Sequence, residues 1–371
     1  MCVLKSLNDM SDSKLISYKN ELERRVARYN NLQLAKKVSL NSAYGALGSQ
    51  YFRFYDLRMA LAVTTAGQLS IRWIEHALNG YMNTLLNTKG KDYVIASDTD
   101  SIYMKLGPLV DKVYGTDGKV SISKQKIIEF MDRVCEDKIQ PFIDRSFQEL
   151  AVYVHAYAQK MQMKREALAD KGIWTAKKRY IMNVYNNEGV QYNEPDMKVM
   201  GLEMIKSSTP APVREKMKEA LQIMMKGTET DMHKFIESFR VEFKNLNVED
   251  ISFPRGINGL KEYSNKTTVY SKGTPIHVKG ALLYNNFLEE HGLTKKYAVI
   301  QSGEKIKFAY LKKPNPFKDT VISFPGRLPA EFALDAYIDY DMQFEKTFLD
   351  PIKVILDCMD WTTEKTNSLF D

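Results

Sequence analysis

The chain has 371 residues, with 53 lysines and arginines against 46 aspartates and glutamates, a formal charge of +7. At 44% hydrophobic and 27% charged residues, its composition is that of a globular protein, which excludes the disordered and fibrous classes. The length favours two or three compact units. Seven basic residues and two acidic ones lie between Lys160 and Arg179, a local excess that predicts a polyanionic partner.

Cysteine usage and targeting signals exclude several further classes. The three cysteines and five histidines are dispersed, so neither a disulfide framework nor a zinc cluster is expected, and a reducing, cytoplasmic setting fits. The first twenty residues lack the apolar core of a signal peptide or anchor. The most apolar stretch, residues 59–69, is too short to span a bilayer, so we expect a soluble protein without a membrane partner.

The first half of the chain predicts two helices and a hairpin. Apolar residues recur at spacings of three and four over residues 14–44, up to Gly45 and Gly48, which predicts one long amphipathic helix. It looks like half of a helical hairpin whose partner helix is not in this sequence. A second helix is predicted over about 65–86. Two short apolar runs, 93–96 and 101–104, are joined by turn residues and predict a β-hairpin.

The second half predicts mixed structure. Residues 122–168 are predicted to be helical, followed by short strands around 179–185 and 189–192. Ser207-Ser208-Thr209-Pro210 predicts a helix start and a domain boundary. The remaining predicted elements are helices to about residue 226 and over 231–244, a hairpin over 297–311, and two closing helices within 329–355. The fold class is α+β.

Asp98-Thr99-Asp100 is the sharpest chemical motif, because it places two carboxylates one residue apart in the turn of the predicted hairpin. Mg²⁺ prefers oxygen ligands and is typically held by one or two carboxylates plus substrate phosphates. Two such ions can clamp the attacking and leaving oxygens of a phosphoryl transfer. Aspartate and threonine are also ordinary turn residues, so the tripeptide alone leaves both interpretations open.

Lys37, Asn41 and Tyr44 form a second candidate site. Their spacing of four and three residues puts an ammonium, an amide and a phenol on one face of the long helix. These groups are suited to a triphosphate, a sugar edge and a base pair, respectively. A solvated lysine and a packed tyrosine remain the alternative.

Lys177-Lys178-Arg179-Tyr180 is the third motif, and it follows Trp174 closely. Cations beside aromatic rings can contact phosphates and stack on a sugar or base. Lys206, just before the predicted helix start, is a further candidate phosphate contact. A solvated charged face is the alternative, but the local basic excess favours nucleic acid.

These motifs together resemble those of family B DNA polymerases. The segment from Lys37 to Gly45 resembles the KxxxNSxYG motif, Ser97 to Ser101 resembles DTDS, and Lys177 to Tyr180 resembles the primer-holding KKRY motif. The segments 52–58, 201–203 and 206–210 are similar to replicative polymerases of large tailed bacteriophages. The motifs agree in identity, order and spacing, and the resemblance extends over most of the chain.

The resemblance implies a role for each residue of the polymerase site. Asp100 would be a ligand of two catalytic Mg²⁺ ions, with Asp98 beside it assisting. Lys37 would bind the triphosphate of the incoming dNTP, Asn41 would line the nucleotide site, and Tyr44 would test the minor-groove edge of the nascent pair.

The resemblance also implies a DNA-binding role for the KKRY motif. Lys178 would lie against the primer terminus, with Lys177, Arg179 and Tyr180 supporting the duplex, while Lys206 remains a phosphate contact. The implied activity is nucleotidyl transfer from a dNTP to a primer 3′-OH on primer–template DNA. For a phage-encoded enzyme this takes place in the host-cell cytoplasm.

The implied architecture has three parts: residues 1–48 as the C-terminal half of the fingers, 49–206 as a partial palm and 207–371 as the thumb. The palm would contain an antiparallel sheet with packed helices. The fingers would contribute the N-terminal helix, and the thumb would be mostly helical.

The sequence also departs from the family pattern. It contains no DxxSLYPS motif, which supplies the other metal-binding carboxylate, no first fingers helix and no proofreading exonuclease. Ser97 stands where many relatives have glycine. Ser368-Leu369-Phe370-Asp371 resembles only the beginning of the peptide with which phage members bind a sliding clamp.

We therefore expect the C-terminal part of a split or fragmentary polymerase that is inactive without an N-terminal part. That part would carry the other catalytic carboxylate and the exonuclease. The alternative is a non-catalytic module that binds primer–template DNA.

Overall fold

The structure is a computed structural model that describes residues 10–116, 119–120 and 122–364. Its α-helices, in chain order, are α1 (Asp12–Leu47), α2 (Leu57–Leu86), α3 (Gly107–Tyr114), α4 (Lys124–Val134), α5 (Gln140–Tyr153), α6 (Ala211–Lys226), α7 (Glu229–Phe243), α8 (Val248–Ile251), α9 (Leu260–Tyr263), α10 (Ile276–Glu290), α11 (Tyr340–Phe344) and α12 (Asp350–Asp357). Its strands are β1 (Val94–Asp98), β2 (Ser101–Met104), β3 (Gly115–Thr116), β4 (Lys119–Val120), β5 (Ala167–Ala176), β6 (Arg179–Asn187), β7 (Val190–Met200), β8 (Phe253–Gly256), β9 (Ser264–Asn265), β10 (Val269–Tyr270), β11 (Lys305–Tyr310) and β12 (Val321–Phe324).

The described strands pair only in antiparallel fashion, in small separate sheets. β5, β6 and β7 form one sheet in sequence order, and β11 lies between β12 and β8 in another. β1 pairs with β2, β3 with β4 and β9 with β10. Helices packed with small antiparallel sheets confirm the α+β class.

The chain divides into two compact units. The first comprises the described residues of Met1–Ile122 and Glu136–Lys164. Its core forms along α2, which buries Ile74, Leu78 and Met82 completely. Tyr81 of α2 stacks on Phe142 of α5 with ring centroids 4.4 Å apart. By contrast, α1 buries none of its 36 residues.

The second unit comprises the described residues of Ser123–Cys135 and Arg165–Asp371. Its hydrophobic core runs from the sheet β5–β7 into the helices that follow. Phe239 of α7 is a central residue of this core, because its ring contacts those of Phe243, Phe344 and Phe348. Aromatic rings bury large areas in such clusters and dominate the energetics of a core.

Two predicted elements are wrong. The helix predicted over 122–168 ends at Tyr153, and residues 167–176 form β5 instead. Residues 160–170 are rich in good helix formers, but pairing with β6 overrides that weak local preference. The hairpin predicted over 297–311 is also absent, because β11 pairs with the distant β12 and β8.

Other predictions hold with shifted bounds. α1 continues through Gly45, and Gly48 caps it. α2 begins eight residues earlier than predicted, at Leu57, because the side chain of Asp56 accepts a hydrogen bond from Arg58 N and caps the helix. The closing helices are α11 and α12, joined by a π-helical turn over Glu345–Leu349.

The division into fingers, palm and thumb stays a prediction, since the two compact units follow contacts rather than those three parts. Ser368-Leu369-Phe370-Asp371 lies outside the described residues. Within the described ranges, the helices are too short or too polar to cross a membrane.

Candidate active site

The carboxylate hairpin, β1 with β2, is anchored to α2 by two asparagines. The Asn79 side chain accepts hydrogen bonds from the backbone N–H groups of Tyr93 (2.7 Å) and Val94 (3.0 Å). Asn83, one turn further on, donates to the carbonyl of Lys91 at 2.7 Å and accepts from its N–H at 3.1 Å. The start of β1 is therefore fixed by a packed helix, which gives the hairpin a rigid base.

The turn of this hairpin consists of Thr99 and Asp100, between the paired residues Asp98 and Ser101. Thr99 has a φ of +56°, which is uncommon for a β-branched residue. Its hydroxyl donates to Asp98 Oδ1 at 2.9 Å, and the Asp100 N–H donates to the carbonyl of Asp98 at 2.6 Å. Backbone conformations of this kind cost about 1–3 kcal/mol and cluster at functional sites.

The two carboxylates of the turn differ in exposure. Asp98 is half-buried and Asp100 is exposed, while the Ser101 hydroxyl donates to Asp100 Oδ1 at 3.3 Å. Carboxylate oxygens are the donors that Mg²⁺ prefers, so the chemistry of this pair fits the ion. Over the described ranges, however, nowhere do three acidic, histidine or cysteine side chains come together as a metal site.

Ser97, whose replacement of a glycine was inferred from the family resemblance, lies in β1 opposite Ile102 and outside the turn. It is not among the described residues with a positive φ. The replacement leaves both aspartates at the turn.

Lys37, Asn41 and Tyr44 lie in the C-terminal third of α1, and all three side chains are exposed. The helical spacing places them on one face, as predicted. Their roles towards a nucleotide remain predictions.

The KKRY motif forms a second hairpin, here called the basic hairpin, in which Lys177 and Lys178 connect β5 to β6. Lys178 has a φ of +63°, and Ala176 pairs with Arg179 across the turn. Both lysines are exposed. The two lysines of the motif therefore form a tight turn that presents both cations, while Arg179 and Tyr180 begin β6.

Arg179 and Tyr180 point into the protein rather than away from it. An Arg179 Nη2 lies 2.6 Å from Glu203 Oε2, and Tyr180 is buried and stacks on Trp174 with centroids 6.0 Å apart. Glu203 Oε1 accepts a further bond from Lys206 Nζ at 3.1 Å. One carboxylate thus joins two of the cations predicted to bind DNA.

Much of the basic excess between Lys160 and Arg179 is bound internally. Arg165 pairs with Asp132 at 2.5 Å, and Lys171 donates to the carbonyl of Met225 at 2.9 Å. Lys177 and Lys178, at the turn of the basic hairpin, are the exposed cations of this stretch that lie next to each other in the chain.

Sequence reasoning missed the importance of Gly201 and Glu203. Gly201 has a φ of +68°, and a Cβ there would lie 2.1 Å from the carbonyl oxygen of Lys178. Glu203 stands three residues before Lys206, a spacing at which opposite charges often pair. The pairing of Glu203 with Lys206 could therefore have been predicted from this spacing. The contact of Glu203 with Arg179 could not, because it depends on the register of the sheet.

Comparison with known families gives two matches. Residues 12–115 match the family described as DNA polymerase family B. Residues 84–239 match the family described as divergent family B DNA polymerase. The two matches include both hairpins.

Individual relatives extend the likeness over almost the whole chain. The chain is 34% identical to the DNA-directed DNA polymerase of Enterobacteria phage T4, over 99% of its own length and 41% of that relative. It is 36% identical to the DNA-directed DNA polymerase of Escherichia phage RB69, over 91% of its length and 38% of that relative. A DNA polymerase beta of African swine fever virus is 23% identical over 80% of the chain and 24% of that relative.

The chain belongs to the family B DNA polymerases. It spans about two fifths of the length of the two phage relatives.

Proposed function

We propose that the chain takes part in template-directed DNA synthesis, the transfer of a nucleotide from a dNTP to a primer 3′-OH. The observation that carries this proposal is the carboxylate hairpin, in which Asp98 and Asp100 flank Thr99 in a tight turn with a strained backbone. Family membership supports the same reaction. The substrates would be dNTPs and primer–template DNA.

Each predicted residue has a place in this reaction. Asp100 and Asp98 would hold divalent ions, expected to be two Mg²⁺, which when bound would neutralise charge that develops on the phosphates. Lys37 would bind the triphosphate, with Asn41 and Tyr44 against the nucleotide and the nascent pair. Because phosphoryl transfer depends on positioning and electrostatics, the rigid anchoring of the hairpin matters directly to the rate.

The basic hairpin, in the second unit, would bind the primer–template DNA. Lys177 and Lys178 are exposed at its turn and would contact the primer backbone. That turn would be supported by its neighbours. Arg179 and Lys206 would do so through their ion pairs with Glu203, and Tyr180 through its stack on Trp174.

We further propose that the remaining metal-binding carboxylate and the proofreading exonuclease come from a polypeptide segment outside these 371 residues. The two-carboxylate turn and the coverage of about two fifths of the relatives support this. One face of α1, with exposed Leu22, Val26 and Tyr29 at spacings of four and three, offers that segment a surface. Without it, synthesis by this chain should be very weak.

Primer extension with Mg²⁺ tests the proposal, with the chain alone and with the polypeptide encoded immediately upstream. Asp100→Asn should reduce extension by the combined proteins at least about 100-fold while leaving DNA affinity nearly unchanged. Asp111→Asn, an exposed aspartate on α3, is the charge-matched control. Robust extension by the chain alone would contradict the dependence on a second segment, and no extension by the combination would contradict the enzymatic proposal.

A non-catalytic primer–template module is the second candidate. It is favoured by the lack of a three-ligand metal group over the described ranges. It predicts salt-dependent DNA binding that neither Asp98 nor Asp100 affects, and no synthesis under any combination.

The setting of this function would be the host-cell cytoplasm, as for a phage-encoded replication protein. Sliding-clamp binding by Ser368-Leu369-Phe370-Asp371 stays a prediction.

A further inference from the structure

The two cations behind the basic hairpin share one counter-ion. Glu203 directs Oε2 to Arg179 Nη2 at 2.6 Å and Oε1 to Lys206 Nζ at 3.1 Å. Arg179 opens β6 and directly follows the turn residue Lys178. Lys206 ends the short 3₁₀ turn Glu203–Ile205, which leads into α6. Glu203 therefore ties the base of the hairpin to the connection that follows its sheet.

The backbone fixes Glu203 in the same place. Gly201 brings the end of β7 so close to the turn that a Cβ would lie 2.1 Å from the carbonyl oxygen of Lys178. Leu202 and Met204, on either side of Glu203, are buried in the core. With both neighbours buried, the carboxylate has little freedom to leave the two cations.

Arg179 depends on this carboxylate for its orientation. Its Nε is buried and has no hydrogen-bond partner among the described residues. Arg179 and Lys206 side chains are about one third and two fifths exposed, so both cations can reach solvent if the carboxylate is removed. A charge-assisted hydrogen bond to a rigid acceptor is what keeps a long cationic side chain in one geometry.

We propose that Glu203 is a positioning residue for primer–template DNA, which holds Arg179 and Lys206 behind the turn so that Lys177 and Lys178 meet the DNA in a fixed orientation. The inference rests on the proposed function. Under this proposal the cations act on DNA in two different ways. Lys177 and Lys178 contact DNA in a fixed orientation, whereas Arg179 and Lys206, if released from Glu203, attract DNA non-specifically.

Glu203→Gln tests this, because it keeps the side-chain size and removes the charge. Freed cations should raise affinity for blunt duplex and make the slope of log K against log salt steeper by about 0.9 per added phosphate contact. The preference for a primer–template junction over blunt duplex should fall about tenfold, since the turn loses its fixed support. Glu215→Gln, which removes the same charge from an exposed pair with Lys218 on α6, should change neither quantity.

Glu203→Asp keeps the charge but is one methylene shorter, so it cannot span both cations. Because one cation at most is freed, it should steepen the salt slope less than Glu203→Gln and still lose junction preference, which also covers the case in which Glu203→Gln does not fold. Melting temperatures of all variants identify effects on folding.

The outcomes separate the two proposals. A wild-type chain with no affinity for primer–template DNA would overturn the proposed function and this inference with it. A wild-type chain that prefers the junction, with Glu203→Gln and Glu203→Asp variants of unchanged slope and preference, would overturn the inference alone. The same holds if the variants only lower the melting temperature, since Glu203 would then be purely structural.

Discussion

Two residues in left-handed backbone conformation hold the turns on which the proposed chemistry depends. Thr99 separates the paired carboxylates, and Lys178 forms the tip of the basic hairpin. Neither is glycine, so the paired strands on either side must hold each turn in this unfavourable backbone conformation. Gly201 plays the complementary part, since only a residue without Cβ lets β7 approach the carbonyl of Lys178.

Gly201→Ala should therefore destabilise the second unit by at least about 1–3 kcal/mol, from backbone strain plus the contact with Lys178. Urea unfolding followed by tryptophan fluorescence measures the change. Gly189→Ala is a matched control, because Gly189, in the turn between β6 and β7, has a φ of +88° but open space around it. Equal losses for the two variants would show that φ alone matters and that the close approach does not.

At the scale of elements, α1 is unusual because it is long, regular and unburied. It spans 36 residues without one buried side chain, whereas the shorter α6 buries six. Most helical stability in proteins comes from packing of an apolar face, not from propensity. The exposed apolar residues of α1 are consistent with a surface that another segment covers.

Amide hydrogen exchange should show this difference directly. Backbone amides of α1 should exchange much faster than those of α6 in the isolated chain, because local opening of α1 breaks few tertiary contacts. Addition of the upstream polypeptide should slow exchange in α1 and leave α6 unchanged. Equal protection of the two helices in the isolated chain would contradict the proposed covering segment.

A buried ion pair joins two other elements of the second unit. Asp319 accepts hydrogen bonds from Lys279 Nζ of α10 (2.7 Å) and from the Tyr270 hydroxyl of β10 (2.6 Å). Burial acts to raise the pKa of Asp319, but these bonds and that from the Thr320 N–H outweigh it and hold the pKa below the ordinary 3.8. The folded state therefore binds fewer protons near that pH than the unfolded chain does.

The stability contributed by Asp319 is thus present above about pH 4 and is lost as the pH falls through its lowered pKa. Asp319→Asn should cost about 3 kcal/mol at neutral pH, because it leaves Lys279 partly buried without its charged partner. It should also flatten the fall in unfolding free energy on acidification. Asp341→Asn, in an exposed pair with Lys244, is the control and should cost less than about 1 kcal/mol. An unchanged acid slope in Asp319→Asn would contradict this account.

Periodicity and turn chemistry predicted much of the fold because they act locally. The apolar spacing in α1 and α2, the capping residues before α6 and the turn residues of the carboxylate hairpin could be read directly. The strand β5 could not be predicted in this way, because the residues around its start are good helix formers and only pairing with β6 makes it a strand. Likewise, the motifs located the candidate site, but the contact between Glu203 and Arg179 depends on three strands in register.

For the whole molecule, the two compact units have separate cores of different size. The buried cluster around Phe239 belongs to the second unit alone, and α2 centres a smaller core in the first. Stability scales with the apolar area buried, so the larger core should be the more resistant to denaturant.

Unfolding should therefore proceed in two steps, the first unit before the second. Trp73 reports on the first unit, and Trp174 and Trp361 report on the second. A Trp73→Phe variant should retain only the later transition in fluorescence, and a variant lacking the other two tryptophans should retain only the earlier one. Coincident transitions would show that the units unfold as one cooperative body.

The length of α1 has a mechanical consequence. At 1.5 Å per residue, its outer end lies about 54 Å from the Gly48 cap, whereas Tyr44 lies about 6 Å from it. A tilt of α1 about that cap displaces the outer end about nine times as far as Tyr44. Contacts that displace the outer end of the helix by a large distance would thus move Lys37, Asn41 and Tyr44 by a smaller one, as in a lever with its fulcrum at Gly48.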